Sequence, residues 1–238
     1  LQQAALLVQK DFPTKFPTNL IEYWGSKVSF NTDVLGGLGC THGNKEFVNG
    51  PVALAKIIGW AVSTVSPAAF ALKWYAGRPR PEEVAWGLKV GQVTQSKNMR
   101  TWIEALELRD PTDFTAYPEG CPKHPAWPAM HSAASSAATF LPVVLNLDHE
   151  QLEEVRLVDY SVAYFRSFAG VHYPSDNRAG LRLGQHIIMT QLPDFLAENF
   201  GCGGDSEFRI RENAWKRISK YVVTHDWATY QPPSHKDY

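Results

Sequence analysis

Three stretches of the chain carry side chains able to act on an anion. KWYAGRPRP carries Lys73 near the end of an apolar helix and then brings Arg78 and Arg80 into a stiff loop, HPAWPAMH carries His124 and His131, and YFRSFAGVHYPSD carries Arg166, His172 and Asp176. Pro79 and Pro81 fix the backbone on both sides of Arg80, which lowers the entropy lost when a guanidinium meets an oxyanion through two parallel hydrogen bonds. On that segment alone a solvated basic turn paired with Glu82 and Glu83 is the simpler reading. Pro128 suits the first turn of a helix. Ala129, Met130 and His131 are then expected where unpaired backbone N–H groups favour an anion, with His131 facing it. The alternative is close helix packing with an incidental histidine. Arg166 falls near the end of an apolar helical face, where a cation is stabilised by the helix dipole. Gly170 lets the chain turn before His172, and Asp176 suits a helix N-cap. Taken singly, each of these residues has a structural explanation.

The elements that must position them read as helices. Asp148 and Gln151 have capping-box spacing, and Val155, Val158, Val162 and Phe165 recur on one face of 148–169. Residues 52–75, 98–108, 129–145, 177–199 and 206–223 also read as helices. Strand alternation is scarce and no internal repeat is visible. Much of the proline and glycine lies in 77–96 and 109–128, which read as ordered loops. Small residues Ala133, Ala134, Ala137 and Ala138 let the helix after His131 approach a neighbour closely. The architecture expected is an all-α helical bundle with long ordered loops, one domain over residues 1–238.

Composition bounds the function. With 238 residues, 44% of them hydrophobic, the chain can bury one sizeable core. Its 23 basic and 24 acidic residues leave a net charge of −1, so nothing global points to nucleic acid or an anionic membrane, and electrostatic function must be local. Cys40, Cys121 and Cys202 form no CxxC pair, which argues against a zinc site and leaves room for one disulfide. The sixteen uncharged residues between Lys56 and Lys73 fall short of the roughly 20 that span a bilayer. With a mean hydropathy of −0.26, the expectation is a buried core helix in a soluble protein without a membrane span. The chain opens at Leu1 and reads as a processed or truncated product. The compartment stays open, and an extracellular or periplasmic one is compatible with this reading.

The order of the three stretches is more specific than any one of them. Lys73, six residues, Arg80-Pro81, then His131 after a proline turn, then Arg166, five residues, His172, three residues, Asp176 resembles the signature shared by vanadium-dependent haloperoxidases and the type 2 phosphatidic acid phosphatase superfamily. The match covers about 73–184, and the flanks YPEGCPKHPAWPAMHSAAS and DNRAGLRLGQHI are similar to algal and cyanobacterial bromoperoxidases. The resemblance implies a helical bundle of the haloperoxidase/acid phosphatase type. It implies vanadate as cofactor, with phosphate able to occupy the same site. Lys73, Arg80 and Arg166 would balance its charge, and the Ala129-Met130 segment and His131 would contact it. His172 would be the one covalent ligand to the metal, and Asp176 would hold the other ring N–H. His131 would be the acid-base residue, Lys73 would polarise bound hydrogen peroxide, and halide would attack to give hypohalous acid for a small organic acceptor. His124 matches a position where algal bromoperoxidases carry histidine and the fungal chloroperoxidase type carries phenylalanine, which favours bromide or iodide.

The chain departs from that pattern in places. Ala129-Met130 stands where the family usually has Ser-Gly before the histidine, and Phe165 stands where serine commonly precedes the arginine. Loss of the hydroxyl donor costs about 1–3 kcal/mol of anion affinity unless Ser132 or Ser135 compensates. The chain is shorter than typical haloperoxidases, so a homo-oligomer is expected to supply packing surface. Two further readings stay open. One is a phosphatase in which His172 attacks phosphorus and His131 protonates the leaving group. The other is a family member that keeps the bundle without turnover.

Overall fold

The computed structural model describes residues 29–31, 33–35, 50–94 and 97–221. Of these 71% are helical, and among the described residues β pairing is confined to one isolated bridge, Phe30 with Leu145. The chain is all-α. Its helices are α1 (Gly50–Ala76), α2 (Pro81–Lys89), α3 (Lys97–Ala105), α4 (Met130–Ser135), α5 (Ala137–Val144), α6 (His149–Phe168), α7 (Pro174–Phe200) and α8 (Asp205–Tyr221), with a 3-10 turn at Pro111–Phe114.

α7 is the axis of the bundle, touching α1, α4, α5, α6 and α8. The main core gathers Leu54, Ile57, Val65, Phe140, Val144, Val155, Ile188, Leu192 and Leu196 between these helices. Burying that apolar area is the dominant favourable contribution to the fold. A smaller cluster of Ala85, Leu88, Ile103 and Leu108 fastens α2 and α3 beside the bundle.

Several expectations change in detail. The interval 77–96 is not all loop, because Pro81 starts α2 as a preformed first residue, Glu82 and Glu83 lie in its first turn, and the Glu83 carboxylate accepts from Arg80 N at 2.6 Å. The single helix expected over 129–145 is two. Ser136 donates its hydroxyl to Ala133 O (2.8 Å), and Asp159 on α6 accepts from Ala138 N (3.0 Å). These partners replace the helical ladder at the junction and start α5 afresh. The predicted helix 98–108 stops at Ala105, where Glu107 turns the chain with φ 50°. Residues 222 and 223 of the last expected helix lie outside the described residues.

The Asp148–Gln151 capping box is present, but the buried face of α6 is Val155, Asp159, Ala163 and Arg166, rotated from the apolar stripe expected. Two of those four are charged, and hydrophobic periodicity cannot register a face whose purpose is polar. α1 is buried along the stripe Ala53, Leu54, Ile57, Ala61, Val65 and Ala69, while Val62, Trp74 and Tyr75 are exposed. It is therefore half buried rather than wholly buried. The stretch beginning at Ala53 is the one among the described residues long and apolar enough to cross a membrane by length and composition, a test that core helices also pass. Cys202 is disulfide-bonded, Cys121 is a buried free thiol, and Cys40 lies outside the described residues.

Candidate oxyanion site

The three stretches singled out by residue type meet where the C-terminal end of α1, the proline loop 124–128 and the turn between α6 and α7 come together. α4 lies so tightly on α7 that a Cβ built at Gly180 would stand 2.2 Å from Ala129 O, and one at Gly184 would stand 2.0 Å from Ala133 O. Only glycine fits at that approach. Ala129 N donates to Asp176 O at 2.9 Å, which closes the joint.

Lys73 is fully buried. Its ammonium donates to Pro125 O and Ala126 O at 3.0 Å each and to Pro128 O at 2.5 Å, so all three protons are used on the proline loop. Burial, together with the charges of Arg80 and Arg166, lowers its pKa to about 8. Arg80, 2% exposed, does not pair with Glu82 or Glu83 through its side chain. Its guanidinium donates to His124 O (2.9 Å), Val171 O (2.7 Å), His172 Nε2 (3.0 Å) and His124 Nδ1 (3.1 Å). Because a guanidinium can only donate, the His172 Nε2 must be bare, whereas His124 Nδ1 lies between the Arg80 donor and the Pro125 carbonyl, 3.3 Å away. Phe70 packs edge-on against the His124 ring at 5.3 Å.

The His172 tautomer follows from the same logic. Its Nδ1 lies 3.2 Å from Asp176 Oδ2, and a carboxylate can only accept, so the proton is on Nδ1 and the Nε2 lone pair faces Arg80. Burial lowers the His172 pKa to about 4, despite the Asp176 hydrogen bond, which keeps the ring neutral. Asp176 is the third residue of α7 rather than the N-cap expected, with Pro174 at the first position and Tyr173 N donating to Oδ2 (3.0 Å). Arg166, 9% exposed, donates to Tyr117 Oη at 2.6 Å, while its Nε is buried with no acceptor.

His131 is exposed in a surround crowded by protein. Desolvation and the charges of Arg166, Lys73 and Arg80 hold its pKa below the usual imidazole value. Desolvation and the same three cations also lower the His124 pKa, opposed by its hydrogen bond to the Pro125 carbonyl. α4 has only six residues, so its dipole is a minor source of positive potential, contrary to the weight placed on the helix start. Neither serine offered as compensation is free to serve. Ser132 donates to Asn177 Oδ1 (2.9 Å) and Ser135 to Ser132 O (3.1 Å).

Two groups of residues were missed from sequence. Asn177, fully buried, also donates to Ser167 Oγ at 2.7 Å, so the residues following His131, Arg166 and Asp176 interlock as a Ser132–Asn177–Ser167 chain. Tyr117 had no signal beyond its place in the matching flank.

Electrostatically the site is one-sided. Among the described residues neither Lys73, Arg80 nor Arg166 has a carboxylate within ion-pair distance, and the one buried carboxylate beside them, Asp176, is paired with Arg78 at 2.6 Å and with His172. Buried cations without counter-charges are costly, and a multiply charged oxyanion would offset that cost. Among the described residues no cluster of three His, Cys, Asp or Glu side chains could cage a metal cation. The donor set therefore suits an oxyanion: Arg166, with its free Nε, and Arg80 beside His172 Nε2 could contact it, and Lys73, its protons spent on the proline loop, could add only its charge. Comparison with models of protein families, with curated proteins and with solved structures gives no match.

Proposed function

We propose that this chain is a vanadate-dependent haloperoxidase that oxidises bromide or iodide with hydrogen peroxide to hypohalous acid. One observation carries the reading: three buried cations close enough to act on one another, Lys73, Arg80 and Arg166, lack carboxylate partners among the described residues, and one of them, Arg80, meets the bare Nε2 of a neutral histidine at 3.0 Å. Vanadate held there would supply Lewis acidity toward peroxide while remaining in its highest oxidation state. His172 Nε2 would provide the single ligand atom in place of the hydrogen bond it accepts from Arg80, oriented by Asp176 from behind. Arg80 and Arg166 balance the charge with fixed N–H donors, which need no reorganisation when charge shifts. Lys73, whose three protons are held by loop carbonyls, would reach a bound oxygen only by giving up one of those bonds and otherwise adds positive potential. His131, neutral and at the open side, can accept a proton from entering peroxide and return it to the departing oxygen.

The same residues suit phosphate, with His172 Nε2 as nucleophile and His131 as the acid for the leaving group. One assay separates the two. The protein is freed of phosphate, incubated with orthovanadate and tested for peroxide-dependent bromination of a dimedone derivative, while aryl phosphate hydrolysis is followed without vanadate. Vanadate-dependent bromination is the expected result. Hydrolysis alone would make the chain a phosphatase, and silence in both would leave a bundle that retains the anion pocket without turnover.

A further inference from the structure

We propose that Arg78 is the positioning residue of this site, holding Asp176 so that the His172 ring keeps its proton on Nδ1 and turns a bare Nε2 toward the cations. The inference rests on the oxyanion reading above. The Arg78 guanidinium lies over the Tyr173 ring at 4.1 Å. Its NH1 donates to Ser175 Oγ at 2.7 Å and to Asp176 Oδ1 at 2.6 Å. Asp176 is thereby divided into two edges. Oδ1 belongs to Arg78, and Oδ2 accepts from His172 Nδ1 and Tyr173 N.

With Oδ1 anchored, the carboxylate cannot swing away from the imidazole, and an acceptor on Nδ1 fixes the tautomer. The backbone of the same residue reaches a second part of the site. Arg78 O accepts from Ala126 N at 2.8 Å, and Ala126 O and Pro125 O are two of the three acceptors of Lys73. Arg78 thus ties the turn after α1 both to the start of α7 and to the loop that seats the lysine. Its side chain is 35% exposed and bonds away from His172 Nε2, so it acts through Asp176 and does not touch the anion. Arg80, two residues on, makes the opposite set of bonds, to the imidazoles and loop carbonyls.

The test reads the tautomer directly. In protein carrying 15N-labelled histidine, the ring-nitrogen shifts of His172 are compared in wild type, Arg78→Gln and Arg78→Lys, with orthovanadate affinity measured by equilibrium dialysis on the same samples. Wild type and Arg78→Lys are expected to show one tautomer with Nε2 bare. Arg78→Gln is expected to show a mixture and roughly tenfold weaker orthovanadate binding, the lower end of the loss that follows when a group orienting a ligand residue is removed. A single unchanged tautomer in Arg78→Gln overturns the proposal whatever the affinity does. Wild type that binds no orthovanadate overturns the oxyanion reading, and the tautomer comparison still decides the role of Arg78. If Arg78→Gln does not fold, Tyr173→Leu removes the ring under the guanidinium without altering charge. It is expected to shift the tautomer in the same direction, and an unchanged tautomer there overturns the proposal equally.

Discussion

Lys73 and Arg166 spend their hydrogen bonds differently, and that difference assigns them separate tests. The Lys73 ammonium is fully satisfied by three loop carbonyls, yet burial and neighbouring cations hold its pKa near 8, against the ordinary 10.5 of an unfolded chain. Between those values the unfolded chain binds more protons than the folded one, so stability rises with pH across that window and the contribution is lost as pH falls through about 8. Chemical denaturation at pH 7 and across pH 8 to 10.5 should show that rise in wild type. Lys73→Met should abolish it and cost about 1–3 kcal/mol at pH 7, because buried carbonyls lose their donor. An identical slope in the variant would mean that Lys73 titrates normally. For Arg166 the anchor is Tyr117, and Tyr117→Phe leaves the guanidinium loose. Orthovanadate affinity should fall roughly tenfold, as for loss of a hydrogen bond to a charged group, with helical circular dichroism unchanged; undiminished affinity would show that another contact aims Arg166. His172→Ala should abolish orthovanadate binding altogether, and retained stoichiometric binding would remove that residue from its role. Most of these residues were legible because order and spacing carried them. Tyr117 and Asn177 were not, since a phenol and an amide acquire meaning only when the fold places an arginine or two serines beside them.

At the scale of elements, the site depends on how closely α4 can lie on α7. The Ala-rich run after His131 announced close packing, but the partner surface, Gly180 and Gly184, became visible only in three dimensions. Gly184→Ala would force a Cβ to within 2.0 Å of Ala133 O and 2.3 Å of Ser136 Oγ. Backbone must move, and overpacking of this kind costs about 1–3 kcal/mol. Gly59 in α1 has nothing within 4 Å of an added Cβ, so Gly59→Ala should stabilise by about 0.5–1 kcal/mol through helix propensity. Thermal unfolding of the two variants should move in opposite directions, and a neutral Gly184→Ala would mean that α4 has room to retreat. The same scale explains which helices were misread. α2 hides in a proline-rich interval because proline was counted as a breaker when it was serving as a first residue. The break at Ser136 is imposed by Asp159, which is distant in sequence, so no local pattern could announce it.

Taken whole, the molecule is nearly neutral, with a net charge of −1, while three cations are buried together in its interior. Such a chain has little general attraction for polyanions, so an anion that stabilises it must do so by entering the site. An anion that binds only the folded state raises stability by RT ln(1 + [L]/Kd), or about 2.7 kcal/mol at a hundredfold excess over Kd. For a domain near this size each kcal/mol raises Tm by roughly 2–4 °C. Orthovanadate and phosphate should therefore each raise Tm by roughly 5–10 °C at that excess, whereas chloride at equal ionic strength should not. The increment should shrink in Arg166→Ala, which removes the guanidinium whose Nε is buried without an acceptor. It should persist in Arg109→Ala, which removes an exposed cation paired with Asp113 outside the site. Equal shifts in both variants would place the stabilising anion elsewhere on the surface and separate the buried charge from any binding function.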